Sequence, residues 1–478
     1  MVWLGPLAQI GSVIASAQVL NWASPSKDVS RRICGARQFW RTALSLGPVG
    51  PALIKNGCSL GIMNRRASKA NVCRHCETLL SHPLVDLGFA PPSNSYLEID
   101  GLNKGEVWLP LRVAVCDSCW LVQTEDYVSP SDLFAPDYAY LSSTSTSWMQ
   151  HSFEFFTSAR ARFSIDRESF VVEIGSNDGY LLSHFVNAGI PCLGIEPTRA
   201  SAEAAASLGV PVCVEFFGPE LAEKLVSGGP LADLIVGNNV FAHVPDINGF
   251  SAGMKTLLKQ GGVVSLEFPH LLSLIRDGQF DTIYHEHFSY LSLATVSKIF
   301  ESQGLRVLDV ELLETHGGSL RVYGAHLEDS RQATQEVARV IEMEKRAGLF
   351  DLALIEGFQE RANKIKYALL NFLIDERLAG RRTVAYGAAA KGNTLLNFAG
   401  VGVDLISACF DAAPSKQGKL LPGSHIPILA PPTNLELDAD NVLILPWNLA
   451  DEIVPMLRSA ARKEASYYVA IPEFRRLP

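Results

Sequence analysis

The sequence predicts an α/β protein in which a small metal-binding module precedes two strand–turn–helix units. Three observations support this fold class: two CxxC pairs near residues 73 and 116, a buried strand with a glycine turn at 170–182, and a second strand and turn at 382–394. With 478 residues, of which 47% are hydrophobic and 19% charged, the chain can bury sizeable cores. Its length suggests about three domains.

The charge of the chain is unevenly distributed. Residues 1–76 contain ten Lys or Arg and one acid, Asp28, and so carry +9. Because the whole chain carries −9, the remainder carries −18. This acidic body argues against a protein that coats nucleic acid through charge alone, and no nucleic-acid partner is predicted.

Residues 1–62 form an N-terminal extension that is rich in small, apolar and basic residues and poor in acids. This composition is typical of an organelle transit peptide. The alternatives are a disordered extension or a mis-assigned start, with Met63 standing ten residues before the first CxxC pair. Polar residues interrupt the apolar stretch, so no membrane span is predicted. The expected location is cytoplasmic, or an organelle if the extension is a genuine transit peptide.

Two CxxC pairs form the candidate metal site: Cys73 and Cys76, then, after a 39-residue insert, Cys116 and Cys119. Two such turns complete a tetrahedral shell of four sulfurs with no open position, so the predicted Zn²⁺ is structural. His75 lies inside the first pair and could compete as a ligand, although Cys76 is favoured. The insert is long enough to hold strands of its own. A nucleic-acid-binding zinc ribbon is the alternative, which the acidic body does not support.

The segment 170–182, FVVEIGSNDGYLL, predicts a buried strand that ends in a glycine turn and opens a helix. Gly175 and Gly179 would let the backbone approach a ligand closely. Asn177 stands where a dinucleotide fingerprint has its middle glycine, which weakens an NAD interpretation. About twenty residues further on, Glu196 ends the next strand, where a carboxylate can accept both hydroxyls of a ribose.

A third strand in this region ends in the amides Asn238 and Asn239. A glycine turn, an acid and an amide in this order indicate an adenosine site. Glu173, just before the turn, fits S-adenosylmethionine better than NAD. S-adenosylmethionine is therefore the predicted cofactor.

Two histidine-containing segments supply the candidate catalytic groups. The first, residues 238–246, contains His243, and the second, residues 280–290, contains Tyr284-His285-Glu286-His287. Histidine is the usual general base near neutral pH, and a glutamate can orient it or hold a substrate hydroxyl. In extended geometry Tyr284 and Glu286 would share one face and the two histidines the other. A metal pair is the less favoured alternative, because the helical HExxH spacing is absent.

Together these segments resemble the nucleotide-sugar C-methyltransferases, enzymes typified by those that methylate C3 of 4-keto-deoxysugars. The resemblance runs from Cys73 to about Glu452. It rests on nine motifs in one order: CRHC, CDSCW, DYAYLSSTS (137–145), EIGSNDGYLL (173–182), GNNVFAHVPD (237–246), FDTIYHEHFSYLS (280–292), ETHGGSLRVY (314–323), YGAAAKGNTLLN (386–397) and FDAAPSKQGKLLPGSHIPI (410–428). The N-terminal extension is the visible departure from the family.

The resemblance implies three domains after the extension: a zinc-binding domain at 63–135, a class I methyltransferase domain of Rossmann-like fold at 136–328, and a C-terminal Rossmann-like substrate-binding domain at 329–478. It implies that His287 removes the proton alpha to the keto group of a nucleotide-linked deoxysugar. The sugar pocket would be lined by four further catalytic candidates, Tyr284, Glu286, His243 and Tyr138, with Asn239 nearby. S-adenosylmethionine would be surrounded by Glu173, Gly175, Asn177, Gly179, Glu196 and Asn238.

The C-terminal half opens a second strand–turn–helix unit with the segment RTVAYGAAAKGNT, which begins at Arg382. A Gly/Ala turn followed by a lysine at a helix start suits a pyrophosphate. Tyr386 and Lys391 are therefore assigned, with Asn239, to substrate binding. A plain strand-to-helix turn is the alternative. Ahead of this unit, residues 330–380 predict two helices that link domains.

Two other functions stay open on the sequence. One is an NAD-dependent oxidoreductase or epimerase of a nucleotide sugar, which the missing GxGxxG turns disfavour. The other is a non-catalytic zinc-ribbon protein with a retired methyltransferase fold, which the Tyr, Glu and His set at 284–287 disfavours. The sugar, the nucleotide, the methylated carbon, the donor that stabilises the enolate and the oligomeric state are left undetermined.

Overall fold

The computed structural model describes residues 71–127, 133, 142–432, 438–460 and 465–478. The N-terminal extension and Tyr138 lie outside these residues. None of the helices in the described part of the chain combines the length and apolar character needed to cross a membrane.

The strands, numbered in chain order, are β1 His82–Ala90, β2 Leu109–Val115, β3 Val122–Thr124, β4 Val171–Ile174, β5 Cys192–Ile195, β6 Val212–Cys213, β7 Ala232–Asn238, β8 Leu258–Pro269, β9 Ser289–Tyr290, β10 Leu305–Leu313, β11 Ser319–His326, β12 Thr383–Tyr386, β13 Cys409–Phe410, β14 Ile428–Leu429, β15 Asn441–Ile444, β16 Ser466–Val469 and β17 Arg475–Arg476.

The α-helices are α1 Thr146–Phe163, α2 Leu182–Asn187, α3 Arg199–Ser207, α4 Pro219–Gly228, α5 Ile247–Leu257, α6 Leu271–Asp277, α7 Leu293–Ser302, α8 Gln335–Arg346, α9 Leu352–Glu356, α10 Phe358–Leu378, α11 Ala390–Ala399 and α12 Ala450–Ala460. Short 3-10 turns at Phe241–His243, Phe280–Thr282, Thr315–Gly317 and Trp447–Leu449 interrupt the connections beside the strand ends.

The N-terminal sheet contains four antiparallel strands in the order β1-β2-β3-β9. Strands β1 and β2 lie inside the insert between the two CxxC pairs, which confirms that the insert holds strands of its own. The last strand, β9, comes from a much later part of the chain, directly after the Tyr284–His287 segment. The N-terminal sheet is therefore hydrogen-bonded to the segment that carries the catalytic candidates.

The central sheet contains seven strands in the order β10-β11-β8-β7-β4-β5-β6. Strands β4 to β8 pair in parallel, whereas β11 runs antiparallel to both of its neighbours. The central strand β4, Val-Val-Glu-Ile, is buried along its whole length, as expected for a parallel strand covered by helices on both faces. The strand order reverses between β4 and β7, and this reversal opens a crevice at their carboxyl ends.

The C-terminal sheet has the order β14-β13-β12-β15-β16-β17, with parallel pairing except between β16 and β17. Three helices, α8, α9 and α10, connect it to the central sheet, so the expectation of two helices is wrong. The extra break follows from Gly348, whose φ of +78° is left-handed, and from Asp351, whose side chain accepts a 3.0 Å hydrogen bond from the N–H of Ala353 at the start of α9.

The three sheets share a hydrophobic core. One cluster of buried side chains contains Leu84 of β1, Phe280 of the central domain and Leu395 of α11. Because side chains from all three parts interdigitate, the walls of the crevice are supported by close packing.

Candidate active site

The four cysteines of the CxxC pairs lie together, with all four sulfurs within 4.8 Å of one another. The Sγ atoms of Cys73 and Cys119 are 3.4 Å apart, and those of Cys76 and Cys116 are 3.5 Å apart. A tetrahedral Zn²⁺ with Zn–S bonds of about 2.3 Å holds its sulfurs about 3.8 Å apart, so this set fits the metal. The ring of His75 turns away, with Nδ1 2.8 Å from an amide oxygen in α5.

A cavity of about 750 Å³ lies at the carboxyl ends of β4, β5 and β7, at the reversal point of the central sheet. This is where ligands bind in open α/β sheets. The C-terminal domain forms the opposite wall. Ten of the predicted site residues line the cavity: Gly175, Asn177, Glu196, Asn238, Asn239, His243, Tyr284, Glu286, His287 and Lys391.

The first turn of the cavity follows β4 and uses two left-handed residues. Gly175 has a φ of +70°, and a Cβ at this position would lie 3.1 Å from Val240. Asn177, with a φ of 48°, donates its backbone N–H to Glu196 Oε2 at 3.0 Å. The other oxygen of Glu196 accepts from the N–H of Thr198 at 2.9 Å. The carboxylate is thus fixed at the end of β5, where it lines the cavity.

Three predicted ligand-binding residues lie off the cavity wall. The carboxyl of Glu173 is completely buried in the sheet below the turn, and this burial raises its pKa well above the ordinary value. A Cβ on Gly179 would lie 3.0 Å from Ala205 of α3, so the missing side chain lets the turn pack closely against that helix. Tyr386 packs in the core of the C-terminal sheet, because the side chain at this position of β12 points away from the crevice.

Two amides end β7. Asn238 donates from Nδ2 to the hydroxyl of Tyr180 at 3.2 Å. Asn239 has a φ of 53° and donates its backbone N–H to the carbonyl of Glu267 at 2.7 Å. This left-handed residue bends the chain at the strand end, so that both side chains line the cavity.

The Tyr284–His287 segment is a tight turn, so the division into two faces that extended geometry would give does not apply. The backbone N–H of His287 donates to the carbonyl of Tyr284 at 2.9 Å. This bond places the two rings side by side, with 3.9 Å between their centroids. His285 points the other way, with Nε2 3.1 Å from the carbonyl oxygen of Pro110 in β2. The turn therefore gathers Tyr284, Glu286 and His287 on the cavity wall and leaves His285 outside it.

The protonation of His287 follows from its contacts. Its Nδ1 lies 2.8 Å from the carbonyl oxygen of Thr282, and a carbonyl can only accept, so Nδ1 carries the proton. The second nitrogen, Nε2, then has a free lone pair. Burial lowers the pKa of His287 well below its ordinary value, and the neighbouring His243 lowers it further. The ring is consequently neutral at neutral pH.

His243 and Glu286 complete this wall. The ring centroid of His243 is 4.6 Å from that of His287. Burial lowers the pKa of His243 to about 4, against the effect of its hydrogen bond to the backbone carbonyl of Glu286. The Glu286 carboxylate is almost fully buried, and both its oxygens accept from Asn94 Nδ2, at 2.9 and 2.8 Å.

The C-terminal wall is built around Lys391, the second residue of α11. Its Nζ donates to Asn448 Oδ1 at 2.8 Å and lies 4.8 Å from the centroid of the Trp447 ring. Trp447 in turn donates from Nε1 to Asp281 Oδ2 at 2.7 Å. Burial lowers the pKa of Lys391 and raises the pKa of Asp281 to about 6.

The cavity also contains residues to which the sequence assigned no role: Asn94, Trp148, His316 and Lys416. His316 has a φ of 57° and packs edge-on against Trp148, with 5.2 Å between centroids. Burial lowers its pKa to about 4. His316 and Lys416 lie in the motifs ETHGGS and DAAPSK, which belong to the family resemblance, so the sequence could have pointed to both residues. Asn94 and Trp148 lie outside the nine motifs, so no sequence pattern pointed to them.

The order of the central sheet, the fixed carboxylate at the end of β5 and the sulfur cluster define a class I S-adenosylmethionine-dependent methyltransferase with a zinc-binding domain. Three domain families match the chain: a zinc binding domain at 73–134, a methyltransferase domain at 148–310 and a C-methyltransferase C-terminal domain at 314–472. The chain is 35% identical over 410 residues to the C-methyltransferase NovU of Streptomyces niveus, covering 86% of this chain and 96% of that relative. The chain belongs to the C-methyltransferase family.

Solved structures show only a distant likeness. The magnesium protoporphyrin IX methyltransferase ChlM from Synechocystis PCC 6803 with bound SAM is 13% identical, with a TM-score of 0.29, over 37% of this chain and 79% of that chain. An S-adenosylmethionine-dependent methyltransferase from Clostridium acetobutylicum is 12% identical, with a TM-score of 0.31, over 37% of this chain and 92% of that chain.

Proposed function

We propose that this enzyme methylates the carbon alpha to the keto group of a nucleotide-linked deoxysugar. The observation that carries the proposal is the state of His287. Its Nδ1–H is committed to the carbonyl of Thr282, and its Nε2 lone pair belongs to a neutral ring on the cavity wall. A carbon acid beside a carbonyl needs a base of this kind, because the carbon becomes nucleophilic only after it loses a proton.

The cofactor half of the cavity lies over β4, β5 and β7. Glu196 is held by two backbone N–H groups and would accept the ribose hydroxyls of S-adenosylmethionine. Gly175 and Asn177 would leave room for the rest of the cofactor at the turn, and the amide of Asn238 lines the same side. When bound, the cofactor supplies an electrophilic methyl group on a sulfonium.

The reacting half is formed by the 284–287 turn. His287 Nε2 would take the alpha proton, and the Tyr284 hydroxyl would donate a hydrogen bond to the oxygen on which negative charge develops. The imidazolium that forms would be stabilised by the buried Glu286 carboxylate of the same turn. Close packing of the Tyr284 and His287 rings keeps the base and the donor in a fixed relative position.

The nucleotide end of the substrate would lie against the C-terminal wall. Lys391 carries its ammonium at the start of α11, where a helix N-terminus also favours negative charge. A pyrophosphate there would compete with Asn448 Oδ1 for this ammonium. The C-terminal domain thus supplies the group that distinguishes a nucleotide-linked sugar from a free sugar.

The test is mass spectrometry of the zinc-loaded enzyme after incubation with S-adenosylmethionine and a thymidine-diphospho-4-keto-6-deoxyhexose. We expect a product in which one methyl replaces one hydrogen and which is stable to mild base. His287→Asn should abolish turnover and retain cofactor binding. A matched control is His425→Asn, because His425 is half-exposed and pairs with Glu106 away from the cavity. Unchanged turnover in His287→Asn would remove the assigned base, and no product in the wild type would exclude this acceptor.

A further inference from the structure

The zinc-binding domain holds the catalytic turn at several points. Its strand β3 pairs with β9, which directly follows the turn. The hydroxyl of Thr124 in β3 donates to the carbonyl of His287 at 3.1 Å, and the N–H of Thr124 donates to the carbonyl of Phe288 at 3.2 Å. From β2, the carbonyl of Pro110 contacts His285. The backbone of the turn is therefore supported by a domain that contributes none of the residues assigned to chemistry.

The same domain also reaches a side chain of the turn. The amide nitrogen of Asn94, in the loop that follows β1, contacts both carboxylate oxygens of Glu286, at 2.9 and 2.8 Å. Glu286 is only 2% exposed. A buried carboxylate needs donors to fix it and to compensate for lost hydration. Asn94 supplies such a donor across two domains.

The loop that carries Asn94 is itself anchored on the C-terminal domain. Asn393 of α11 donates to the carbonyl of Ser93 at 2.6 Å, and the hydroxyl of Tyr96 donates to the carbonyl of Ala388 at 2.6 Å. The anchors lie one residue before Asn94 and two residues after it. The amide is thus held in place on either side, which is what a group needs if it is to orient another.

We propose that Asn94 is a positioning residue that fixes the Glu286 carboxylate for proton removal, so that the zinc-binding domain controls the deprotonation step. The inference rests on the proposed role of the 284–287 turn. It gives the zinc-binding domain a role in catalysis in addition to binding the metal. The domain acts on catalysis through a hydrogen bond to Glu286, and Asn94 does not itself touch the reacting atoms.

The experiment isolates deprotonation from methyl transfer. Enzyme and the 4-keto-6-deoxyhexose nucleotide are incubated in D₂O without S-adenosylmethionine, and deuterium incorporation at the alpha carbon is followed by mass spectrometry against an enzyme-free control. We expect Asn94→Ala to lower both this exchange and kcat by about 10- to 100-fold, the range for a hydrogen bond to a charged group. Zinc content and the Kd for S-adenosylmethionine should stay within twofold of wild type.

Asn94→Asp adds a second readout, the pH dependence of deuterium exchange, which would not change if Asn94 were only structural. Two carboxyls at this distance cannot both ionise, so the pair holds one proton at a raised pKa. Protonated Asp can donate to Glu286 as the amide does, and exchange by this variant should recover as the pH falls, relative to Asn94→Ala. The titratable groups around the pair are Tyr96, His243, Tyr284, His287, Lys391 and Lys416. Wild type, Asn94→Ala and Asn94→Asp all contain these titratable groups, so a pH dependence seen only in Asn94→Asp comes from the new carboxyl.

A matched control is Glu98→Gln, which removes the ion pair between the same loop and Lys419 at 3.1 Å and does not line the cavity. Exchange in this variant should stay close to wild type. Exchange within twofold of wild type in Asn94→Ala would overturn the inference. A loss of zinc or of cofactor binding in Asn94→Ala would also overturn the inference, since the role of Asn94 would then be structural. If the wild type incorporates no deuterium, or if His287→Asn exchanges normally, the proposed function fails and the inference falls with it.

Discussion

The buried ion pair between Arg321 and Glu267 allows a quantitative prediction. Arg321, in β11, donates from Nη2 to Glu267 Oε2 at 2.7 Å, and their side chains are 7% and 0% exposed. Glu267 also accepts from Thr315 Oγ1 at 3.0 Å, and its carboxylate lies 2.8 Å from His151 Nε2. The pair matters for the site because the carbonyl of Glu267 holds the N–H of Asn239.

We expect Arg321→Met to lower the free energy of unfolding by about 3–5 kcal/mol, because removal of one partner leaves a buried charge uncompensated. The measurement is urea unfolding at pH 7. The control is Arg346→Met, which breaks an exposed pair with Glu342 on α8 and should cost about 0.5 kcal/mol or less. The double variant Arg321→Met/Glu267→Gln should recover part of the loss, because it removes the unpaired charge. A loss of only about 1 kcal/mol in Arg321→Met would contradict this reasoning.

The pH dependence of this variant has a definite sign. In the wild type, burial opposes ionisation of Glu267, but the hydrogen bond from His151 and the charge of Arg321 still lower its pKa. A lowered folded-state pKa gives stability above pH 4.5 that is lost as the pH falls. Without Arg321 the folded-state pKa should rise above the unfolded value. The difference in unfolding free energy between the two proteins should then narrow as the pH falls from 7 towards 5.

Three further predictions concern the base, a turn and the metal. Because burial lowers the pKa of the proposed base, the acidic limb of kcat/KM should lie well below pH 6.5, and a limb at or above that value would contradict its neutral state. Gly387→Ala should lower the free energy of unfolding by about 3 kcal/mol, since its φ is +86° and a Cβ would lie 2.4 Å from Pro446. Gly380→Ala is the control, because Gly380 has a φ of +74° but no atom within 4 Å of an added Cβ, and it should lower the free energy of unfolding by only about 1 kcal/mol. Equal losses in the two variants would refute the clash with Pro446. Cys119→Ser should abolish stoichiometric zinc in metal analysis, whereas Cys213→Ser, outside the sulfur cluster, should retain it.

The sequence predicted the parts of the site that depend on local pattern. The glycine turn, Glu196 and the amides that end β7 could be identified because each follows a buried strand, and parallel strands end at one edge of a sheet. The four zinc ligands could be identified because CxxC spacing is set by a single turn. These inferences needed no knowledge of contacts between distant segments.

The remaining features depend on tertiary contacts. In extended geometry the 284–287 segment would place its two histidines on one face, but a hydrogen bond from the N–H of His287 to the carbonyl of Tyr284 closes it into a turn. Tyr386 was expected in the site because it precedes a glycine turn, yet it faces the core of its own sheet. Asn94 could not be identified, because its partner lies 192 residues further along the chain and no local pattern announces the contact.

The N-terminal sheet is completed by β9, a strand from a distant part of the chain, and this has a consequence for synthesis of the protein. Strand β3 ends at Thr124, and its hydrogen-bonding partner begins at Ser289. At a synthesis rate of roughly 5–20 residues per second, about 8 to 33 seconds pass before that partner has been synthesised. During this interval the nascent zinc-binding sheet exposes an unpaired edge, which is a template for association with other chains. A chain cut near residue 135 would keep that edge unpaired, because Ser289–Tyr290 would be missing from it.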